Sequence, residues 1–578
     1  MKKSSIKSLL KIVKPHKKAF ILVSALASIY VLSLLALPLL FGRAIDHIVG
    51  EDAVNFKQIG KISIVALVLV CIAFICQRIM NLINNKTTYK IVQSLRSESF
   101  KKIQSLPLKT IDSTSSGQMV SLIVSDADRV GEGLLLTFEQ LFTGALTIIA
   151  IIIIMLVKEI SIAGIPYITL LVLFLTPISV FIAKFISKKS YVHFKRRAEV
   201  NAKQIAFINE MVTNEKVVKT FNREEKVMER FDEINEQNRK ASLTATFYSS
   251  TVNPTTRFVY NLIYAVICLC GAFLIIGGNG LSVGDLFVFL SYANQYTKPF
   301  NEISGVITEL QYSLACVDRI TNLTELPNET DGEKVAELNG NIEFKGVDFS
   351  YNPNKKLIED LNIKVKAGQN IAIVGPTGCG KTTLINLLVR FYDTQGGVIE
   401  YDGHNVEEFT RSSLRHNIGM VLQDCFVFTG SIKDNVKLGK PNATDQEVIQ
   451  ACKKSFASEF IEKFENGYDT IISENSGLSQ GQKQLLSIAR IMLISPPILI
   501  LDEATSSIDF RTEKKIQEGI HNLSVGKTTF TVAHRLATIV NADLILVMKD
   551  GTVIEQGTHS QLLASGGFYS QLYNSQFE

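Results

Sequence analysis

At 578 residues the chain is longer than one compact core allows, since domains hold about 100 to 200 residues. Hydrophobic residues make up 46% and charged residues only 20%, which is too apolar for a soluble globular protein and puts a membrane portion first. The net charge of +5 is mild, and the basic residues flank apolar runs, so membrane topology accounts for them and nucleic-acid binding does not. Eight cysteines in this length form no disulfide framework. Cys71, Cys76, Cys268 and Cys270 lie in or beside apolar runs, and Cys379 falls in a phosphate-loop motif, as expected in a reducing cytosol.

Met1 to Lys18 carries seven lysines and no acid, interleaved with Ile6, Leu9, Leu10, Ile12 and Val13. This pattern predicts an amphipathic helix on the membrane surface, with no cleavable signal peptide. Apolar runs long enough to cross a bilayer, about 20 residues each, follow at Ala19 to Leu40, Ile62 to Leu82, Leu134 to Val157, Ile162 to Ala183, Phe258 to Ile276 and Leu286 to Val306. Six spans are therefore expected. The long connections are basic, with seven Lys or Arg in Lys86 to Arg129 and fourteen in Lys184 to Lys240, while the three short ones hold only Arg43, Lys57 and Lys158. The bias places the long connections, the N-terminus and everything after the last span in the cytosol. Structureless loops of that length are uncommon. Lys195 to Lys240, with periodic Ile205, Ile208, Met211, Val212, Val217, Val218 and Phe221, reads as an amphipathic helix continuing a span.

Around Thr324 to Asn341 the composition turns polar, with Pro327, Asp331, Gly332 and Gly340. The expected division is a membrane domain over 1–322, a linker over 323–340 and a second domain over 341–578. In that second domain, β-rich runs at Ile342 to Phe344, Asn370 to Val374, Ile418 to Leu422, Ile498 to Leu501, Thr529 to Val532 and Leu544 to Met548 alternate with helical stretches. Such alternation predicts an α/β layered domain with a mainly parallel sheet.

The strongest motif is Gly375-Pro376-Thr377-Gly378-Cys379-Gly380-Lys381-Thr382, a full G-x-x-x-x-G-K-[ST] phosphate loop between an apolar strand and the helical stretch Thr383 to Phe391. Glycines free the backbone N–H groups to wrap phosphates, the helix start adds positive potential, Lys381 reaches the β and γ phosphates, and Thr382 ligates Mg²⁺. Gly526-Lys527-Thr528 also reads GKT, but its preceding glycine, Gly519, is seven positions back instead of five, and it receives no role. The run Ile498 to Leu501 ends in Asp502-Glu503. Side chains alternate along a strand, so one acid can meet the metal while its neighbour faces the attacking water.

With these motifs in order, the chain resembles an ATP-binding cassette exporter of the half-transporter kind over almost its whole length. Leu478-Ser479-Gln480-Gly481-Gln482 is similar to the family signature, and His534 follows in Ala533-His534-Arg535. The resemblance implies an all-α six-helix transmembrane domain followed by an α/β P-loop nucleotide-binding domain, with ATP and Mg²⁺ as cofactors. It implies that Tyr351 stacks on adenine and that the phosphate loop, from Gly375 to Thr382 and on to Thr383, holds the nucleotide. Gln423 would sense Mg²⁺ and the attacking water, Asp502 hold the metal through water, Glu503 act as general base, and His534 contact the γ-phosphate. Asp509 would sit at the subunit contact. Ser479, Gln480, Gly481 and Gln482 would act on the partner's ATP site, so a dimer is implied. Gly117 to Val130 and Phe221 to Phe231 resemble the loop ends that couple helices to the ATPase.

The signature usually has glycine where this chain has Gln480, beside backbone that must approach the phosphates closely. This departure favours a heterodimer whose partner carries the ordinary signature and an altered position matching Glu503. The function implied is ATP-driven export of amphipathic small molecules, drugs or peptides across the cytoplasmic membrane. Tyr292, Gln295 and Tyr296 in the last span are candidates for the substrate path or, equally, for helix-to-helix hydrogen bonds. The alternatives are a lipid flippase, an exporter-fold importer, or an ATP-gated channel or receptor; the acid pair favours turnover over gating. No peptidase domain is expected ahead of the first span.

Overall fold

The computed structural model describes residues 3–49, 54–278, 280–352, 356–422, 425–474, 476–502, 508–533 and 539–575. The chain separates into two compact units, one of Met1–Gln104 with Ser116–Leu326, the other of Ser105–Ser115 with Pro327–Glu578.

The first unit is helical. It comprises α1 (Lys3–Val13), α2 (Lys17–Val49), α3 (Phe56–Gln104), α5 (Ser116–Ser121), α6 (Ala127–Leu136), α7 (Thr143–Ala163), α8 (Tyr167–Thr213), α9 (Glu215–Thr220), α10 (Glu224–Ile276) and α11 (Val283–Glu325); α4 (Leu108–Asp112) belongs to the second unit. Two π-helical turns, Leu122–Asp126 and Thr137–Phe142, join α5, α6 and α7 into one long rod. Five of the apolar runs lie wholly on helices, whereas Ile162 to Ala183 begins at the end of α7, crosses the turn at Gly164 to Pro166 and continues on α8. Among the described residues, three helical stretches are long and apolar enough to cross a membrane: Ser5–Val49, Phe56–Gln104 and Ser116–Ile162. The amphipathic start is a helix as expected, and the Ser5 hydroxyl donates to the Asp318 carboxylate of α11 at 2.6 Å.

The stretch Lys195 to Lys240 is not one helix continuing a span. Helix α8 stops at Thr213, α9 makes a short tip, and α10 returns from Glu224. Asn222 at φ +48° supplies the left-handed residue that reverses the chain. Between α7 and α8 the chain turns again, and there the buried Glu159 carboxylate accepts from the N–H groups of Ile168 and Thr169 and from the Thr169 hydroxyl. It satisfies donors that the first turn of α8 leaves without intrahelical partners.

The second unit contains β1 (Ile342–Phe349), β2 (Ile358–Val365), β3 (Asn370–Val374), α12 (Lys381–Leu388), β4 (Gly396–Tyr401), β5 (His404–Asn405), α13 (Arg411–His416), β6 (Ile418–Val421), β7 (Gly430–Ser431), α14 (Ile432–Lys437), α15 (Asp445–Lys454), α16 (Ser458–Ile461), β8 (Ile471–Ile472), α17 (Gln480–Ile494), β9 (Ile498–Asp502), α18 (Phe510–Ser524), β10 (Thr528–Val532), β11 (Leu544–Lys549), β12 (Thr552–Gly557), α19 (His559–Ala564) and α20 (Phe568–Asn574). Its main sheet runs β12-β11-β3-β10-β9-β6, with only the β11–β12 pair antiparallel. The near-continuous apolar runs of β3 and β9 fit strands covered on both faces, and β10 between them is buried too, although three of its five residues are threonine. The first β-rich run lies elsewhere: β1 belongs to an antiparallel sheet ordered β2-β1-β4-β5.

Helix α4 packs Leu108 against the core that contains Phe344, Leu384 and Phe409, and the Asp112 carboxylate accepts from the Tyr392 hydroxyl. The Glu329 N–H also donates to the Ser105 carbonyl at 3.2 Å. The early segment grouped with the second unit is thus Ser105–Ser115, just ahead of the stretch Gly117 to Val130 singled out from sequence, which stays in the helical unit. At the α9–α10 tip, Phe221 and Met228 are exposed.

Candidate functional site

Strands β3, β10 and β9 lie side by side in parallel register, with Ile373, Val532 and Asp502 level with one another. The phosphate loop therefore leaves β3 at the same sheet edge where β9 ends in Asp502 and β10 passes to Ala533. Ligands of open α/β sheets bind at the carboxyl ends of the strands. Gly375 has φ +153°, and a Cβ there would lie 2.2 Å from the Met548 carbonyl oxygen, so only glycine lets the loop turn off β3 against β11. Helix α12 begins at Lys381 and ends at Leu388, earlier at both ends than Thr383 to Phe391, because Gly380 already serves as N-cap and Arg390 at φ +53° breaks the far end.

No side chain caps α12, so its first-turn N–H groups remain for an anion. The buried Lys381 folds its ammonium onto the carbonyls of Gly375 and Pro376, at 2.7 and 3.0 Å, inside the loop. Thr382 is exposed at the helix start and Thr383 is buried, while Pro376, Thr377 and Gly378 are exposed. Burial pushes the Cys379 thiol up, which keeps it protonated and unreactive.

Tyr351 is 44% exposed; its hydroxyl accepts from the Asn386 amide of α12 at 3.0 Å, and its ring meets Phe349 and Tyr392 edge-on. A half-exposed aromatic is thus fixed beside the phosphate-loop helix with a face available for stacking. Asn386 and Tyr392 carry no motif, and only the fold reveals that they hold Tyr351. Gln423, Glu503 and His534 lie outside the described residues. The GKT triplet at Gly526-Lys527-Thr528 opens β10, at the opposite edge from the phosphate loop; there the Thr528 hydroxyl donates to the Gly340 carbonyl at 2.9 Å.

The signature stretch starts α17. Exposed Ser479 is the N-cap, its hydroxyl accepting from the Gln482 N–H while the Gln482 side chain accepts from the Ser479 N–H. This capping box fixes the helix start. Gln480 is half-buried, and at Gly481 a Cβ would come within 2.5 Å of Thr512 Cγ2 on α18. Asp509 caps α18 by accepting from the Thr512 N–H at 3.0 Å, which holds its carboxyl below the usual range, and the next residue, Phe510, is 84% exposed.

In the helical unit, Tyr292 is buried and donates to the Leu35 carbonyl, Tyr296 is buried in the same cluster, and Gln295 lines a cavity. Of the three substrate-path candidates, only Gln295 meets open space there.

The sequence matches the ABC transporter transmembrane region over residues 20–300 and the ABC transporter family over residues 358–506. It is 36% identical over 550 residues to an uncharacterized ABC transporter ATP-binding protein, YfiC, of Bacillus subtilis, covering 94% of this chain and 89% of the relative. It is 35% identical to a fatty acid ABC transporter ATP-binding/permease protein of Mycobacterium bovis, covering 91% and 83%. It is 32% identical to the putative multidrug export ATP-binding/permease protein YgaD of Bacillus subtilis, covering 99% of each. A solved bacterial Atm1-family ABC exporter with ATP bound superposes with a TM-score of 0.78 at 25% identity, over 98% of both chains. With a phosphate loop and acid-tipped strand at one sheet edge behind a long-helix membrane unit, the chain belongs to the ATP-binding cassette exporters, membrane proteins that work as dimers and couple ATP hydrolysis to transport.

Proposed function

We propose that this chain is one half of a heterodimeric exporter of amphipathic small molecules, drugs or peptides across the cytoplasmic membrane, with its N-terminus and ATPase domain in the cytosol. The observation that carries the reading is the sheet edge where the uncapped α12 N-terminus, Lys381 and Asp502 come together. One relative is described as a fatty acid transporter and another as a putative multidrug exporter, and a fatty acid is itself an amphipath, which supports an amphipathic substrate here.

The Thr382 hydroxyl would ligate Mg²⁺ directly and the Asp502 carboxylate would hold it through water, oxygen groups of the kind Mg²⁺ takes. Bound there, Mg²⁺ would neutralise charge on the transferring phosphoryl group. Lys381 then contacts the β and γ phosphates, Tyr351 stacks on adenine, and Gln423 orients the attacking water. Glu503 accepts that water's proton and His534 contacts the γ-phosphate. Ser479 and Gly481 close the site of the opposite subunit.

Replacing Glu503 with Gln tests the reading: ATP binding persists while steady-state hydrolysis falls by roughly 10²- to 10⁴-fold. Turnover near that of the unaltered protein removes Glu503 from the role of base.

A further inference from the structure

A cavity of about 690 Å³ lies within the helical unit between α2, α3, the Thr137–Phe142 turn, α7 and α11, inside the range of about 300 to 1,000 Å³ typical of ligand pockets. Its two ends differ. Helices α2 and α11 run antiparallel, with Tyr292 bonded to Leu35 and Ser282 bonded to Asp46, so Phe41 and Phe287 mark one end together with Leu37. Lys298, three residues beyond Gln295 on α11, and Glu139 lie towards the other end, where Met80 and the neighbours of Glu139, Phe138 and Phe142, pack around Val23 and Ala27.

Glu139 and Lys298 both line the cavity, and among the described residues neither side chain makes an ion pair or hydrogen bond. The side-chain amides of Gln77, Gln140 and Gln295, which line it too, likewise make none. Glu139 and Gln140 sit on a π-helical turn, a feature found often at functional sites because it re-aims side chains from the α-helical path. Ionisable groups among membrane-spanning helices are costly, and they commonly mark substrate or ion paths. Charges of both signs at one end, with an apolar far end, complement a molecule that carries both charges on its head and a hydrocarbon tail.

We infer that this cavity binds a zwitterionic amphipath, a single-chain molecule whose cationic group meets Glu139, whose anionic group meets Lys298 and whose tail lies towards Phe41 and Phe287. The inference rests on the export reading and adds the charge type of its cargo. A purely cationic or purely anionic amphipath leaves one of the two charges without a counter-charge, which weakens its binding relative to the zwitterion.

The test uses the purified exporter, with its partner subunit where one is needed, in nanodiscs. ATPase stimulation is measured with dodecylphosphocholine, dodecyltrimethylammonium and dodecanoate, each below its micelle-forming concentration. Dodecylphosphocholine is expected to reach half-maximal stimulation at a concentration about tenfold below the other two, the scale of one charge-assisted contact. Glu139→Gln should raise that concentration for dodecylphosphocholine and dodecyltrimethylammonium but not for dodecanoate. Lys298→Gln should raise it for dodecylphosphocholine and dodecanoate but not for dodecyltrimethylammonium. A general folding defect would affect all three probes alike, so equal shifts overturn the assignment. So does a cation or anion that acts at or below the concentration of the zwitterion, or the absence of stimulation by any probe. In each of these cases, hydrolysis that Glu503→Gln abolishes leaves the exporter reading standing, whereas hydrolysis indifferent to Glu503→Gln removes that reading as well.

Discussion

Gly481 meets two demands at once. In the proposed role the signature needs slim backbone beside a phosphate, and the packing of α17 on α18 separately leaves no room for a side chain, with Thr512 Cγ2 at 2.5 Å and Ile508 Cγ2 at 3.2 Å from a built Cβ. Gly481→Ala should therefore destabilise the protein by about 1 to 3 kcal/mol through overpacking, read as a lower melting temperature. Adding Thr512→Ser, which removes the clashing methyl, should restore most of the loss. A melting temperature unchanged by Gly481→Ala would mean the two helices separate more easily than their contact implies. Lys381 differs, since its ammonium rests on loop carbonyls and is already placed for phosphate. Lys381→Ala should weaken ATP binding about tenfold or more by removing a charged contact, measured by binding of labelled nucleotide; unchanged affinity would overturn the phosphate-loop assignment. These residues were legible because a motif fixes their spacing. Asn386 and Tyr392 were not, because nothing local distinguishes residues that act only by holding Tyr351.

At the scale of elements, the strands were legible as short runs of β-branched and apolar residues, and β3, β9, β10 and β11 lie where those runs are. The sheet assignment of β1 was not, since a run of three apolar-rich residues says nothing of which partner it takes. The two π-helical turns were also hidden: Leu122–Asp126 and Thr137–Phe142 contain no glycine or proline to mark a departure from α-helical spacing. The connection reads as helical, but helix α4 was not singled out because it is a single turn, and its place is set by contacts distant in sequence, Leu108 in the core, Asp112 on Tyr392 and the Ser105 carbonyl on Glu329. Asp112→Ala removes the acceptor of the Tyr392 hydroxyl. It should cost about 1 to 2 kcal/mol of stability and reduce stimulation of the ATPase by transported substrate more than it reduces hydrolysis without substrate. Equal effects on both would show that α4 is held mainly by Leu108.

For the whole molecule, the open question of assembly turns on Gln480. The helix it begins is capped and well packed, so the altered signature is not a folding defect; in the proposed arrangement it changes the surface offered to the partner's nucleotide. A homodimer would place that altered surface on both ATP sites. A heterodimer would let the Lys381 and Asp502 of this chain meet an ordinary signature. Purification of this chain alone, and with a related half-transporter produced from the neighbouring gene, separates the cases. The pair is expected to show substrate-stimulated hydrolysis that the single chain lacks, and a stable single-chain dimer with full stimulated ATPase would overturn the expectation. The family and the order of its motifs were readable because phosphate chemistry imposes fixed spacings, whereas the choice of partner depends on a surface that one chain only half defines.

The grouping of Ser105–Ser115 with Pro327–Glu578 also has a consequence in time. During synthesis the ribosome releases the first piece roughly two hundred residues before the rest of its unit begins, an interval of roughly 10 to 40 s at about 5 to 20 residues per second. Leu108 must wait that long for the core it joins, through the insertion of every later span. The ATPase does not complete its core from its own stretch of message, so a chain misinserted early leaves an apolar socket open on the later domain, where cellular quality control can recognise it.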